Sequence, residues 1–206
     1  MARIVCLANS YKRGGRCIAG IDLDTGQWVR PIGNGHEGAI GEERIINGAE
    51  PKILDVLEIQ LDGDADDRGC QPENKVFKSS PWRKVGTMSV DEIIKYTENS
   101  HFLLHNHDKK VLPSYFRDEI PSSQWKSLQL IQVENSLFSK KPRGKIKCDF
   151  IYSSQSYTLP APCPEADSYL RQGGSYILTI SLAGPFAREI GDEEYCYKMV
   201  AGAIKL

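Results

Sequence analysis

The 206 residues are 40% hydrophobic and 26% charged, an ordinary globular composition with chain enough for one large domain or two small ones. A formal net charge of −1 supplies no global positive field and so disfavours a protein that coats nucleic acid unspecifically; any polyanion site has to be a local basic patch. No stretch approaches the ~20 apolar residues of a membrane span, and the apolar run at the N-terminus is too short for a signal peptide, so a soluble, cytoplasmic protein is expected.

The first predicted strand, 4–8, and the second, 17–22, flank a basic turn in which Lys12, Arg13 and Arg16 surround Gly14 and Gly15. Two glycines permit positive φ and can turn backbone N–H groups outward, so with three cations nearby the turn is a candidate phosphate nest. It is not a Walker loop, because GxxxxGK[ST] is absent. In the third predicted strand, 28–32, Trp28 and Arg30 fall on one face. If that face is exposed, the pair suits base stacking and charge neutralisation; if it is buried, Trp28 is core and Arg30 covers its edge. "DLDTG" (22–26) reads as a turn, although Asp22 and Asp24 are spaced as a metal-binding nuclease pair might be.

A fourth strand is expected at 54–61. The acidic loop Asp62, Asp64, Asp66, Asp67 lacks a calcium loop's ligand spacing. Next, "QPENKVFKSSPWRKVG" (71–86) again joins an aromatic to cations at Trp82 and Arg83. Ser89 with Glu92 is a capping box, which starts a helix with Ile93 and Ile94 inward. His101, His105 and His107 lack a cysteine pair or HExxH, so no metal is expected there.

Further strands are expected at 127–134, 145–152, 156–159, 176–182 and 195–204, with a short helix at 164–171. "KIKCDFIY" (145–152) alternates cleanly, with Ile146, Cys148, Phe150 and Tyr152 on one face. The preceding loop and strand start carry Lys140, Lys141, Arg143, Lys145 and Lys147 with no acid, the strongest electrostatic feature of the chain. The six cysteines are scattered, without a CxxC pair, and read as reduced thiols.

The expected fold is therefore mainly β with minor α, arranged as two small Greek-key β-barrels in tandem, 1–110 with a helical insertion and 111–206. The blocks at 4–32, 71–86 and 181–206 resemble the dual OB-fold domain family of bacterial proteins, and so does the spacing between them. That resemblance implies two OB-fold barrels, a nucleic-acid-binding role and a place in antiviral defence against phage; it carries no catalytic residues. The reading is a non-catalytic module for single-stranded nucleic acid, without cofactor or metal, acting beside a protein partner that supplies the enzymatic activity. Its contacts would be Lys12, Arg13, Arg16, Trp28, Arg30, Trp82, Arg83, Lys140, Lys141, Arg143, Lys145 and Lys147. The alternatives are a protein-interaction adaptor that touches no nucleic acid, or an enzyme acting through Asp22 and Asp24.

Overall fold

A computed structural model describes residues 1–206 apart from Arg188 and Ile190, and apart from the side chain of Arg143. The first sheet is built from β1 (Ala2–Lys12), β2 (Gly15–Asp22), β3 (Trp28–Ile32), β4 (Asp55–Ile59), β5 (Leu61–Asp64), β6 (Asn74–Phe77) and β7 (Arg83–Thr87), in the order β5-β6-β3-β2-β1-β4-β7. Helix α1 (Val90–Ile94) leads to the second sheet. There β8 (Lys110–Val111), β9 (Leu128–Lys140), β10 (Ile146–Tyr152), β11 (Gln155–Pro160), helix α2 (Glu165–Ser168), β12 (Gly173–Leu182) and β13 (Cys196–Lys205) follow in the chain, with sheet order β11-β10-β9-β12-β13-β8. Each sheet curls into a half-barrel, giving the two tandem OB-like units expected. Among the described strands, β3 and β6 alone pair in parallel, and an isolated parallel bridge joins Phe138 to Leu170.

The run "IVCLA" is apolar without alternation because β1 is buried on both faces. Ile4 and Cys6 point into the first barrel with Ile18, Leu57, Ile59 and Trp82. Val5 and Leu7 point the other way, toward Leu130, Ile177 and Ile204 of the second sheet. Strand β12 repeats the pattern. Tyr176, Leu178, Ile180 and Leu182 fill the second core, while Ile177 faces the first sheet. A third layer of small residues, Ala8, Ala19 and Ala201 with Leu128, lets the sheets approach closely. At Gly202 a Cβ would stand 2.0 Å from the carbonyl oxygen of Leu7, so only glycine fits that crossing.

Polar groups complete the junction. Thr179 Oγ1 donates to Leu7 O at 2.6 Å. Gln71 Nε2 donates to Leu182 O at 2.8 Å. The Glu73 carboxylate accepts from Ser127 N at 2.7 Å and Ser127 Oγ at 2.6 Å. Thus the polar "QPEN" stretch is spent on holding the two barrels together, which satisfies groups that burial would otherwise penalise.

Departures from the sequence expectation are local. The expected strand at 54–61 ends at Ile59; β5 starts at its last expected residue and runs into the acidic loop, and β6, β7 and β8 lie outside the expected strands. The capping box at Ser89 forms, with Ser89 N donating to Glu92 Oε2 at 2.8 Å, but α1 lasts five residues and only Ile93 is buried; Ile94 is 37% exposed. The second helix is also shorter than 164–171, because Arg171 N is drawn to Phe138 O at 3.0 Å. Residues on the N-terminal side of the expected division bond to the second sheet: Glu98 N donates to Leu130 O, and Leu104 N to Gln129 Oε1. No helix is long and apolar enough to cross a membrane among the described residues. All six cysteines are free thiols.

Candidate nucleic-acid interface

The β1–β2 hairpin closes with Lys12 opposite Gly15, and Gly14 takes φ 82°, a conformation that disfavours residues with a Cβ. Gly15 is required by a neighbour: its Cβ would lie 2.1 Å from Ile40 O. That neighbour also alters the expected nest, since Arg16 N donates to Ile40 O at 3.1 Å and is not free for a phosphate. The cations at the tip are disposed differently from one another. Arg13 is exposed, the Arg16 guanidinium lies 3.8 Å from the centre of the exposed Tyr11 ring, and Lys12 Nζ donates to Glu37 O. Burial pushes the Lys12 ammonium below its ordinary pKa, with nearby Arg68 and Arg30 adding repulsion.

The β9–β10 hairpin presents the second basic tip. Lys141 N donates to Lys145 O at 2.8 Å, and Gly144 takes φ 76° to close the turn. Lys140, Lys141 and Lys145 are exposed and Lys147 is half-buried; no acid pairs with any of them among the described residues. The side chain of Arg143 lies outside the described residues.

The fold links the bases of the two hairpins. Tyr11 N donates to Pro162 O at 2.8 Å, Ala161 N donates to Ile146 O at 3.0 Å, and Ile146 pairs with Lys140. Three pairing steps and one residue step join Tyr11 to Lys140, so the bases of the two tips lie within roughly 20 Å of each other.

The other candidates lie elsewhere. Trp28 pairs with Ile21, six residues along β2 from Gly15, which is about 20 Å from the first tip. It is half-buried against both sheets, and it lines a groove of about 620 Å³ shared with Trp125, Lys75 and Lys126. Arg30 belongs to the barrel junction and not to an exposed face: it is 2% exposed and donates to Asn74 Oδ1 at 3.3 Å and Ser181 Oγ at 3.2 Å. Trp82 is 3% exposed, packed edge-on against Phe77 inside the first barrel. Arg83 is on the outer strand β7, ion-paired with Glu58. These three do not join the basic tips.

The carboxylates suggested for catalysis serve the turns. Asp24 pairs with Arg3, and Asp22 Oδ1 accepts from Asp24 N at 3.1 Å. In the acidic loop, Asp66 and Asp67 accept from Arg68 N and Gly69 N. His101 and His107 bring their Nε2 atoms to 3.3 Å, while His105 is engaged by Lys126 O; no group of three or more metal ligands forms among the described residues. Tyr11 and Trp125 had not been singled out from sequence. Tyr11 directly precedes the basic turn and is the ring under Arg16. Trp125 lies just past a short 3₁₀ turn, where no periodicity marks a face.

A family model for the dual OB-containing domain matches residues 2–203. No curated protein and no solved structure matches the chain.

Proposed function

The chain belongs to the dual OB-containing domain family, and from that membership we propose that it is a non-catalytic module that grips single-stranded nucleic acid along the two basic hairpin tips. OB-folds commonly bind oligonucleotides through charged grooves and aromatic platforms. The observation that carries the reading is the linkage of the tips: Arg13 on one, and Lys140, Lys141 and Lys145 on the other, are exposed, unpaired with acids among the described residues, and joined at their bases through the Tyr11–Pro162 hydrogen bond. Tyr11, 56% exposed on the first hairpin, offers a ring on which a base can stack, worth roughly 1–3 kcal/mol. The groove holding Trp28 and Trp125 is a second stacking platform on the same strand's course. The module works in the cytoplasm within a larger bacterial assembly, where a partner supplies the enzymatic step of antiviral defence.

Fluorescence anisotropy with labelled single-stranded DNA, single-stranded RNA and duplex DNA tests this directly. At ~50 mM salt, single strands are expected to bind more tightly than duplex, and Tyr11→Ala is expected to weaken binding about tenfold. Absence of binding to all three nucleic acids would sink the proposal and leave a protein-docking role for the barrels.

A further inference from the structure

Behind the first basic tip, at the junction of the barrels, lies a cavity of about 130 Å³. One wall comes from the first barrel, with Ser10, Tyr11, Lys12 and Gln71; the other comes from the second, with Ser181 and Gly184. Lys12 lines it, and two further cations, Arg30 and Arg68, stand behind its walls. Arg30, 2% exposed, reaches the wall through Ser181 Oγ, and its Nε has no partner although it is buried. Lys12 Nζ and Arg68 Nη1 both turn to the same backbone oxygen, Glu37 O. The Arg68 guanidinium packs so closely on Gly184 that a Cβ there would lie 2.7 Å from its Cζ. Glu37, an acidic residue in the lining, is exposed and makes no ion pair with these cations among the described residues, although it attracts Lys12 at longer range. A buried guanidinium with neutral partners only is costly unless an anion completes it.

We propose that this cavity binds a phosphate monoester, held by Lys12 and the hydroxyls of Ser10 and Ser181, with the Arg30 guanidinium behind Ser181 and the Arg68 guanidinium behind Gly184 supplying further positive charge. A lysine supplies a point charge and hydroxyls supply donors to phosphate oxygens, and guanidinium groups one shell back strengthen the local positive field. The volume is worth roughly ten waters, at about 10–15 Å³ each by the same kind of measure, so it admits a phosphate group together with part of the group it esterifies. Lys12 also belongs to the basic tip, so the site adjoins the surface proposed above for the strand. The monoester comes from one of two sources: the terminal phosphate of a strand, which rests on that proposed function, or a free mononucleotide, which does not.

Calorimetric titration with inorganic phosphate, adenosine 5′-monophosphate and adenosine separates the chemistry, and anisotropy with 5′-phosphorylated, 3′-phosphorylated and unphosphorylated oligonucleotides separates the sources. Saturable binding of phosphate and the mononucleotide but not adenosine is expected, weakened at least tenfold in Lys12→Met and in Arg68→Met. Both residues are partly exposed, and an unchanged melting temperature checks that the variants fold. A preference for one phosphorylated oligonucleotide identifies a strand end; equal oligonucleotide binding identifies the free nucleotide. Absence of phosphate and mononucleotide binding, or binding indifferent to both variants, overturns the site even where oligonucleotides bind. Mononucleotide binding without any oligonucleotide binding keeps the site and rejects the strand-gripping function instead.

Discussion

Lys198 shows how sharply a single residue can depart from its sequence expectation. It sits in β13 among apolar residues and is 1% exposed, with Nζ donating to Asn106 O and Oδ1, both at 2.7 Å. Burial pulls its pKa down to about 7. The unfolded chain, with an ordinary lysine near ~10.4, binds the extra proton between those values. In that window the unfolded state holds more protons, so this group's contribution to stability rises with pH from about 7 to about 10. The expected outcome is that Lys198→Met, compared with the parent by denaturant melts at pH 7 and pH 8.5, loses its relative advantage by roughly 1.4 kcal/mol per pH unit. A difference between the two proteins that does not change with pH would mean that Lys198 stays charged in the fold. Arg30 is the other such residue: strand periodicity correctly put it on the face of Trp28, but that face turns into the barrel junction, which no local pattern announces.

Most elements were legible because their burial follows a period. Strands β1, β2, β3, β10 and β12 were read within a few residues of their observed bounds, through apolar runs or strict alternation such as "KIKCDFIY". The capping box placed the start of α1 because its two hydrogen bonds are local. What stayed hidden lacks a period. Strand β7 is exposed along most of its length at a sheet edge, β8 has two residues, and β6 is recruited by parallel pairing to distant β3. The basic residues of the tips were visible one by one, but their adjacency depends on Tyr11 meeting Pro162 across 151 positions, which no spacing encodes. The crossing of β1 and β13 was equally invisible, since Gly202 looks like any strand glycine. Gly202→Ala is expected to cost about 3 kcal/mol or more, because its Cβ would meet a backbone oxygen that cannot move aside cheaply. A thermal melt within a degree or two of the parent would show that the sheets can separate there.

At the scale of the whole molecule, the two barrels act as one body. Thr179, Gln71, Glu73 and Ser127 bond across the junction, and residues 98–104 cover the second sheet. On the proposed function, that docking brings two basic tips onto one polyanion-binding surface in a chain whose net charge is only −1. The most direct test is the salt dependence of single-stranded oligonucleotide binding in the parent, in Arg13→Glu, in Lys141→Glu and in the double variant. Single-strand affinity falls with salt by about 0.7 decades per decade for each phosphate contacted, so five contacts predict roughly a hundredfold loss between ~50 and ~200 mM salt. Each single reversal is expected to weaken binding and flatten that slope, by roughly one contact's worth or more, and the double variant is expected to flatten it further. If reversing either tip alone leaves both affinity and slope unchanged, the two hairpins do not share one strand and the account of this surface is wrong.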